Sequence, residues 1–167
     1  MATVTLKGTP CQTSGELPGV GSAAPDFRLV DGELQDHRLG DYSGRTLLLN
    51  IVPSLDTGVC AASAKRFDEI AQAHPAVAFA TVSADLPFAQ QRFCGAEGVD
   101  NVVMLSTMRG QAFGRDYGVR IEEGPMEGLC ARSVVIIDSG GRVAYTQLVP
   151  EIAQEPDYDD VQRALSS

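Results

Sequence analysis

Hydrophobic positions along the chain follow two rhythms. Thr46–Val52 (TLLLNIV) and Val77–Ser83 (VAFATVS) are nearly continuous apolar runs, the pattern of strands covered on both faces of a sheet. Val102–Ser106 and Ser133–Asp138 (SVVIID) predict a third and a fourth strand. Between the first two runs, Val59, Ser63, Phe67, Ile70 and Ala71 recur at three- and four-residue steps, which predicts a helix over Val59–Ala73 with one face toward a core. Pro53 stops the strand before it, and His74-Pro75 ends the helix, because the residue before a proline is pushed out of the helical region. Leu86–Gly95 predicts a short helix with Pro87 in its first turn, where the missing N–H costs nothing. Gln111–Tyr117 predicts another that stops at Gly118, and Asp157–Leu165 a closing helix capped by Asp157.

The chain ends are less regular. Ala2–Leu6 alternates as a strand does, Lys7-Gly8-Thr9-Pro10 reads as a turn, and Cys11–Glu16 as the return strand of a hairpin. Leu17–Pro25 reads as a loop, Asp26–Val30 as a short strand, Asp31-Gly32 as a turn and Gln35–Leu39 as an edge strand. Ser139-Gly140-Gly141 turns the chain into Arg142–Val149, so the last two strands form a hairpin. Strands that alternate with helices predict an α/β sheet with parallel members, and the terminal hairpin makes that sheet mixed. This order is consistent with a thioredoxin-like core that carries an N-terminal β-hairpin.

Length and composition narrow the picture. A chain of 167 residues is expected to form one domain over 1–167. Its 44% hydrophobic and 21% charged residues are ordinary globular usage and exclude a disordered chain. A net charge of −9 repels phosphate backbones and anionic membrane surfaces, so neither nucleic acid nor membrane is an expected partner. No apolar run approaches the ~18 residues of a membrane helix. The start MATVTLKGTP lacks the basic and apolar regions of a secretory signal, so a cytoplasmic location is expected. Four cysteines, Cys11, Cys60, Cys94 and Cys130, are then expected to be reduced or redox-active rather than structural bridges.

The stretch from Pro53 to Cys60 (PSLDTGVC) joins the most apolar strand to the longest helix. It sets Cys60 in a first helical turn, where unpaired N–H groups and the helix dipole favour an anion. A thiolate, the reactive form of cysteine, is favoured there. Thr57 can cap the helix or point its hydroxyl at the sulfur or a bound oxygen, and Pro53 can shield the sulfur from water. Each residue has a plainer reading. A lone cysteine at a helix start is often a small buried apolar residue, and Arg132 alone reads as a surface arginine.

These motifs together resemble the thiol peroxidase branch of the bacterial peroxiredoxins. PSLDTGVCAAS carries the resemblance with SADLPFAQQRFCGAEG at Ser83–Gly98, GPMEGLCAR at Gly124–Arg132, SVVIID and QLVPEIAQEPDY, and it spans essentially the whole chain. It implies a thiol-specific peroxidase acting on hydrogen peroxide and on organic, alkyl or lipid, hydroperoxides. In that family the Thr-x-x-Cys cysteine attacks the O–O bond, which makes Cys60 the peroxidatic nucleophile and its product a sulfenic acid. Pro53, Thr57 and Arg132 match the family's other active-site positions, and the Arg132 guanidinium would stabilise the thiolate and the developing oxygen charge. Cys94 matches the resolving cysteine of an atypical two-Cys mechanism, which closes an intramolecular disulfide on Cys60. From the residues alone Cys94 reads equally as a core thiol, on a helix given an apolar face by Phe88 and Phe93.

The resemblance further implies thioredoxin as reductant, a homodimer that packs near the active-site loops, and no cofactor or metal on this chain. A disulfide needs its Cα atoms within about 7 Å. Two cysteines near opposite helix starts are not expected to meet that in the reduced fold, so local unfolding is expected when they pair. Leu55, Leu86, Phe88 and Phe93 read either as a pocket for apolar peroxide tails or as plain core. Cys11 and Cys130 fall outside the family's catalytic positions, with Cys130 in a loop expected to approach the site.

Three other readings compete. A structural zinc site would draw on the cysteines with His37 and His74, but no two cysteines are as close as such sites require. A disulfide oxidoreductase of this fold would carry Cys-x-x-Cys, and here the first position is Thr57. A non-enzymatic redox sensor begins with the same sulfenic acid as a peroxidase and differs only in lacking turnover.

Overall fold

The structure, a computed structural model, describes residues 1–166. In chain order its strands and helices are β1 (Thr3–Leu6), β2 (Thr9–Gln12), β3 (Arg28–Val30), β4 (Asp36–Arg38), β5 (Leu47–Ile51), α1 (Gly58–Ala73), β6 (Ala78–Ser83), α2 (Pro87–Glu97), β7 (Val103–Ser106), α3 (Phe113–Asp116), β8 (Ser133–Ile137), β9 (Val143–Leu148) and α4 (Tyr158–Leu165). Strands β3 to β9 make one mixed sheet in the order β4-β3-β7-β6-β5-β8-β9, and β1 with β2 forms a separate hairpin. β5, β6 and β7 run parallel; β8 lies antiparallel to β5, β9 to β8, and β3 to β7. This is the expected thioredoxin-like α/β arrangement with its N-terminal hairpin.

The continuous apolar runs are explained by two cores, one on each face of the sheet. Leu48, Phe79, Met104, Val134 and Ile136 point to one face and pack with Phe67 and Ile70 of α1 and Val161 of α4. Leu47, Leu49, Ile51, Ala80, Val82 and Val135 point to the other, with Phe27, Phe113 and Tyr117. Every residue of β5, β6 and β8 is buried, and each large aliphatic among them stabilises the fold by about 1.5–3 kcal/mol. The helical rhythm of α1 holds for Ser63, Phe67, Ile70 and Ala71, whereas Val59 is only half-buried and Cys60 and Ala64 take the core positions instead. Asp157 caps α4 as expected, its side chain accepting from the Asp160 amide at 3.0 Å.

Several boundaries differ from expectation. The hairpin turn is Lys7-Gly8 alone, with φ of 51° and 83°, the doubly positive pair that matches the twist of antiparallel strands. Thr9 and Pro10 therefore belong to β2, paired with Leu6 and Thr5, rather than to the turn. α2 continues past Gly95 to Glu97 because the left-handed stop is Gly98, at φ 67°. The helix expected over Gln111–Tyr117 is a single turn, α3. It ends at Gly118, whose φ is +72° and where a Cβ would lie 2.0 Å from the Glu16 carbonyl oxygen. Among the described residues no helix is long and apolar enough to cross a membrane.

Glu151 ties the hairpin to the segment that follows β9. Its Oε1 accepts from Thr5 Oγ1 at 3.0 Å and from the Gly8 amide at 2.9 Å, while Oε2 accepts from the Ala153 amide at 2.8 Å. The backbone N–H groups of Ala153 and then Gly8 hold its carboxyl down to about 2. A depressed carboxyl stabilises the fold above its ordinary value of 4.5 and stops doing so as pH falls toward 2. Exchange protection of the Gly8 amide is therefore expected to fall between these pH values, and in E151Q to be low and independent of pH. Wild-type protection that stays constant down to pH 2 would contradict this.

Candidate active site

β5 ends at Ile51, and the chain turns through Val52 and the buried Pro53 into a loop, exposed at Asp56 and Thr57, that starts α1. Thr57 is the N-cap of α1, in extended conformation at φ −120°. Its Oγ1 accepts from the Cys60 amide at 3.4 Å and donates to the Ser54 carbonyl at 3.3 Å. Of the two roles read for Thr57, the structure gives it the cap.

Cys60 sits in the first turn of α1 and is fully buried, at 0% exposure. Its Sγ accepts a hydrogen bond of 3.1 Å from Nη2 of Arg132. Arg132 is not a surface residue: it is 1% exposed. Sheet register brings the pair together. β8 runs antiparallel to β5 with Ser133 opposite Ile51, so Arg132, one residue before β8, lies beside the end of β5 from which the Cys60 loop departs. The Ile152 carbonyl fixes the guanidinium by accepting from Nε at 3.0 Å. The third nitrogen, Nη1, is buried and has no hydrogen-bond partner among the described residues. A buried guanidinium nitrogen without a partner is costly, and it is a donor available to an oxygen arriving beside the sulfur.

Cys94 lies in α2, half-buried, and packs against the core cluster that contains Cys60. It stands near the C-terminal end of α2, not near a helix start, because α2 begins only at Pro87 and runs to Glu97. Burial, with the Asp100 and Asp68 carboxylates, pushes its thiol pKa up. All four cysteines are free thiols. Cys11 and Cys130 belong to the core on the opposite face of the sheet from Cys60. The expected approach of Cys130 to the site is thus made by Arg132 and not by the Cys130 side chain, whose thiol burial raises to about 12.

Leu86 and Phe88 are neither core nor part of the apolar face of Cys94. They are 54% and 63% exposed, since α2 turns Pro87 and Gln90 inward instead. Leu55 and Phe93 do meet, with Asp56, Asp85, Ala89 and Arg92, around a cleft of about 530 Å³ between the loop and α2. Asp85, absent from the residues singled out in the sequence, lies at the centre of the loop's hydrogen bonds. It accepts from Ser54 Oγ, the Leu55 amide and Ser83 Oγ, each at 2.7 Å.

A mixed sheet whose interior strand leads into a capped helix start, with a buried cysteine there and a buried arginine on its sulfur, defines a thioredoxin-fold thiol enzyme. The Redoxin family model matches residues 19–162. The chain is 54% identical over 167 residues to a thiol peroxidase of Mycobacterium tuberculosis, covering 100% of both. It is 49% identical over 166 residues to a thiol peroxidase of Corynebacterium glutamicum, covering 99% of this chain and 100% of that one. The solved structure of a peroxiredoxin-like protein from Aquifex aeolicus is similar with a TM-score of 0.93 and 42% identity, over 99% of this chain and 97% of that one. The chain belongs to the Redoxin family and, within it, to the thiol peroxidases, which are peroxiredoxin-type oxidoreductases.

Proposed function

We propose that this chain reduces hydrogen peroxide and organic hydroperoxides through Cys60, with Cys94 as the resolving cysteine and thioredoxin as the reductant. The observation that carries the reading is the 3.1 Å bond from buried Arg132 to the sulfur of Cys60. Cys60 attacks as its thiolate. A new S–O bond forms at one peroxide oxygen while the O–O bond breaks, and the other oxygen leaves with a proton as water or an alcohol. Cys60 is left as a sulfenic acid, oxidised by two electrons. Nη1 of Arg132, which has no hydrogen-bond partner among the described residues, would donate to the oxygens as charge builds on them, which favours the transition state over the ground state. Thr57 holds the first turn of α1, and Pro53 keeps water from the sulfur. Leu55 and Phe93 give the cleft the apolar wall that an alkyl or lipid hydroperoxide would use.

Cys94 then attacks the Cys60 sulfur, expelling water and closing an intramolecular disulfide. Because Cys60 is fully buried and engaged by Arg132, this step needs the first turn of α1 to leave its place. Thioredoxin returns both thiols by exchange, taking the disulfide onto itself. We place the working protein in the cytoplasm as a homodimer, with the whole chain acting as one domain. Peptide mass mapping under non-reducing conditions, after one equivalent of hydrogen peroxide, is the test. A Cys60–Cys94 linkage that thioredoxin reverses is the expected product. A chain that halts at the sulfenic acid, or pairs Cys60 elsewhere, would remove Cys94 from its role. An untouched Cys60 beside persisting peroxide would remove the enzyme.

A further inference from the structure

We propose that Asp85 is a positioning residue that latches the Cys60 loop shut and so sets how fast the oxidised sulfur reaches Cys94. The proposal rests on the roles assigned above to the two cysteines. Among the described residues, the hydrogen bonds that tie Ser54–Thr57 to anything beyond the loop and α1 all end on one carboxylate. Oδ1 of Asp85 accepts from Ser54 Oγ at 2.7 Å, and Oδ2 accepts from the Leu55 amide at 2.7 Å. The other bonds of this stretch stay inside it or go to α1: the Asp56 amide to Ser54 Oγ at 3.2 Å, Thr57 Oγ1 to the Ser54 carbonyl at 3.3 Å, and the Cys60 and Ala61 amides to Thr57 at 3.4 and 2.9 Å.

Asp85 itself is held by two serines, and one of them is held in turn by Gln90. Ser83 Oγ donates to its Oδ2 at 2.7 Å, and Ser106 Oγ, at the end of β7, donates to its backbone carbonyl at 2.6 Å. Gln90, buried in α2 one turn before Cys94, donates through Nε2 to Ser83 Oγ at 3.0 Å and to the Leu105 carbonyl at 3.0 Å. One network thus joins the loop that precedes Cys60 to the ends of the interior strands β6 and β7 and to the helix that carries Cys94. Hydrogen bonds to a carboxylate are short and about twice as strong as neutral ones, so the pair on Ser54 and Leu55 is the strongest hydrogen-bonded restraint on the loop.

The two chemical steps make opposite demands on that restraint. Oxidation of Cys60 needs the sulfur held against Arg132. Resolution, in which Cys60–SOH and Cys94–SH become the disulfide and water, needs the first turn of α1 to move away, and the loop cannot move with both bonds intact. A third step competes for the sulfenic acid: a second peroxide converts Cys60–SOH to the sulfinic acid and releases an alcohol or water. The longer the latch stays shut, the more sulfenic acid meets that second peroxide. Asp85 therefore trades resolution speed for positioning, and it sets the peroxide concentration at which the enzyme inactivates.

The test is quench-flow on the full-length protein, with intact-mass readout of sulfenic, disulfide and sulfinic forms, comparing wild type with D85N and S54A. D85N keeps the shape and loses the charge; S54A removes one bond and leaves Asp85 in place. In D85N the first-order rate of disulfide formation is expected to rise about tenfold, the factor that one net hydrogen bond to a charged group represents. The second-order rate of Cys60 oxidation is not expected to rise, and the sulfinic fraction at high peroxide is expected to fall. S54A is expected to move the same way by a smaller factor. A residue that only stabilised the fold would not speed one step while sparing or slowing the other. If wild type forms no Cys60–Cys94 disulfide, the roles of the cysteines fail and the latch with them. If it does, and both variants resolve at or below the wild-type rate, the latch alone is overturned.

Discussion

Replacing Cys60 with serine reduces peroxide consumption by more than about a thousandfold, the scale on which removing a nucleophile abolishes an enzyme whose residues act as a unit. Serine places an oxygen where the sulfur was. That oxygen is not a thiolate and cannot be carried up the oxidation ladder to a sulfenic acid. The fold does not depend on the sulfur. The Thr57 cap bonds the backbone amide of residue 60, at 3.4 Å, and not its side chain. The serine hydroxyl is small enough for the same buried site and can accept from Arg132 Nη2 as Cys60 does. C60S is therefore expected to keep its helical signal and to melt close to the wild type. Peroxide disappearance, followed with thioredoxin present, checks it. Consumption that survives the substitution would move the nucleophile to another thiol.

Replacing Arg132 with methionine lowers the second-order rate of Cys60 oxidation by about 10²–10³, the usual cost of deleting one pre-aimed donor from an oxyanion site. Methionine is apolar and long enough to occupy the same buried volume, so the charge is what is lost. R132K falls between R132M and wild type. A lysine keeps the charge as a point ammonium, but it lacks the planar fork that lets Arg132 reach the Ile152 carbonyl and the Cys60 sulfur at 3.0 and 3.1 Å at once. Single-turnover oxidation by hydrogen peroxide separates this from later steps. Rates within about twofold of wild type in both variants would strip Arg132 of a part in the chemistry.

Much of the fold was legible along the chain because it is local. The runs LLLNI, AFATVS and SVVII are buried throughout, and a nearly unbroken apolar run has few other uses in a chain of this size. The period of α1 and the Asp157 cap are likewise set by neighbours within one turn. Where element boundaries differ from the local pattern, competing signals of similar strength stand close together. Gly95 and Gly98 both offer a helix stop, and only Gly98 adopts the left-handed conformation, at φ 67°. Lys7 is an unexpected partner for Gly8 in a turn that needs positive φ at both positions. Leu86 and Phe88 look like the apolar face of a helix, yet α2 is rotated so that a glutamine, Gln90, takes the buried place.

The site divides along the same line. Its residue types, a cysteine three residues after a capping threonine at the end of a buried strand, stand together in the chain and carry their chemistry in their spacing. The placement of Arg132 on the sulfur does not. The two residues are joined across 72 positions, and they meet because Ser133 is in register with Ile51; a slip of one residue would turn Arg132 to the other face of the sheet. Asp85 shows the same limit. Ser54 and Leu55 are about thirty positions from it, and nothing in either stretch marks the other as a partner. Periodicity and capping are short-range and written in order along the chain. Strand register and the bonds of a folded loop are settled only when distant segments compete for one packed arrangement.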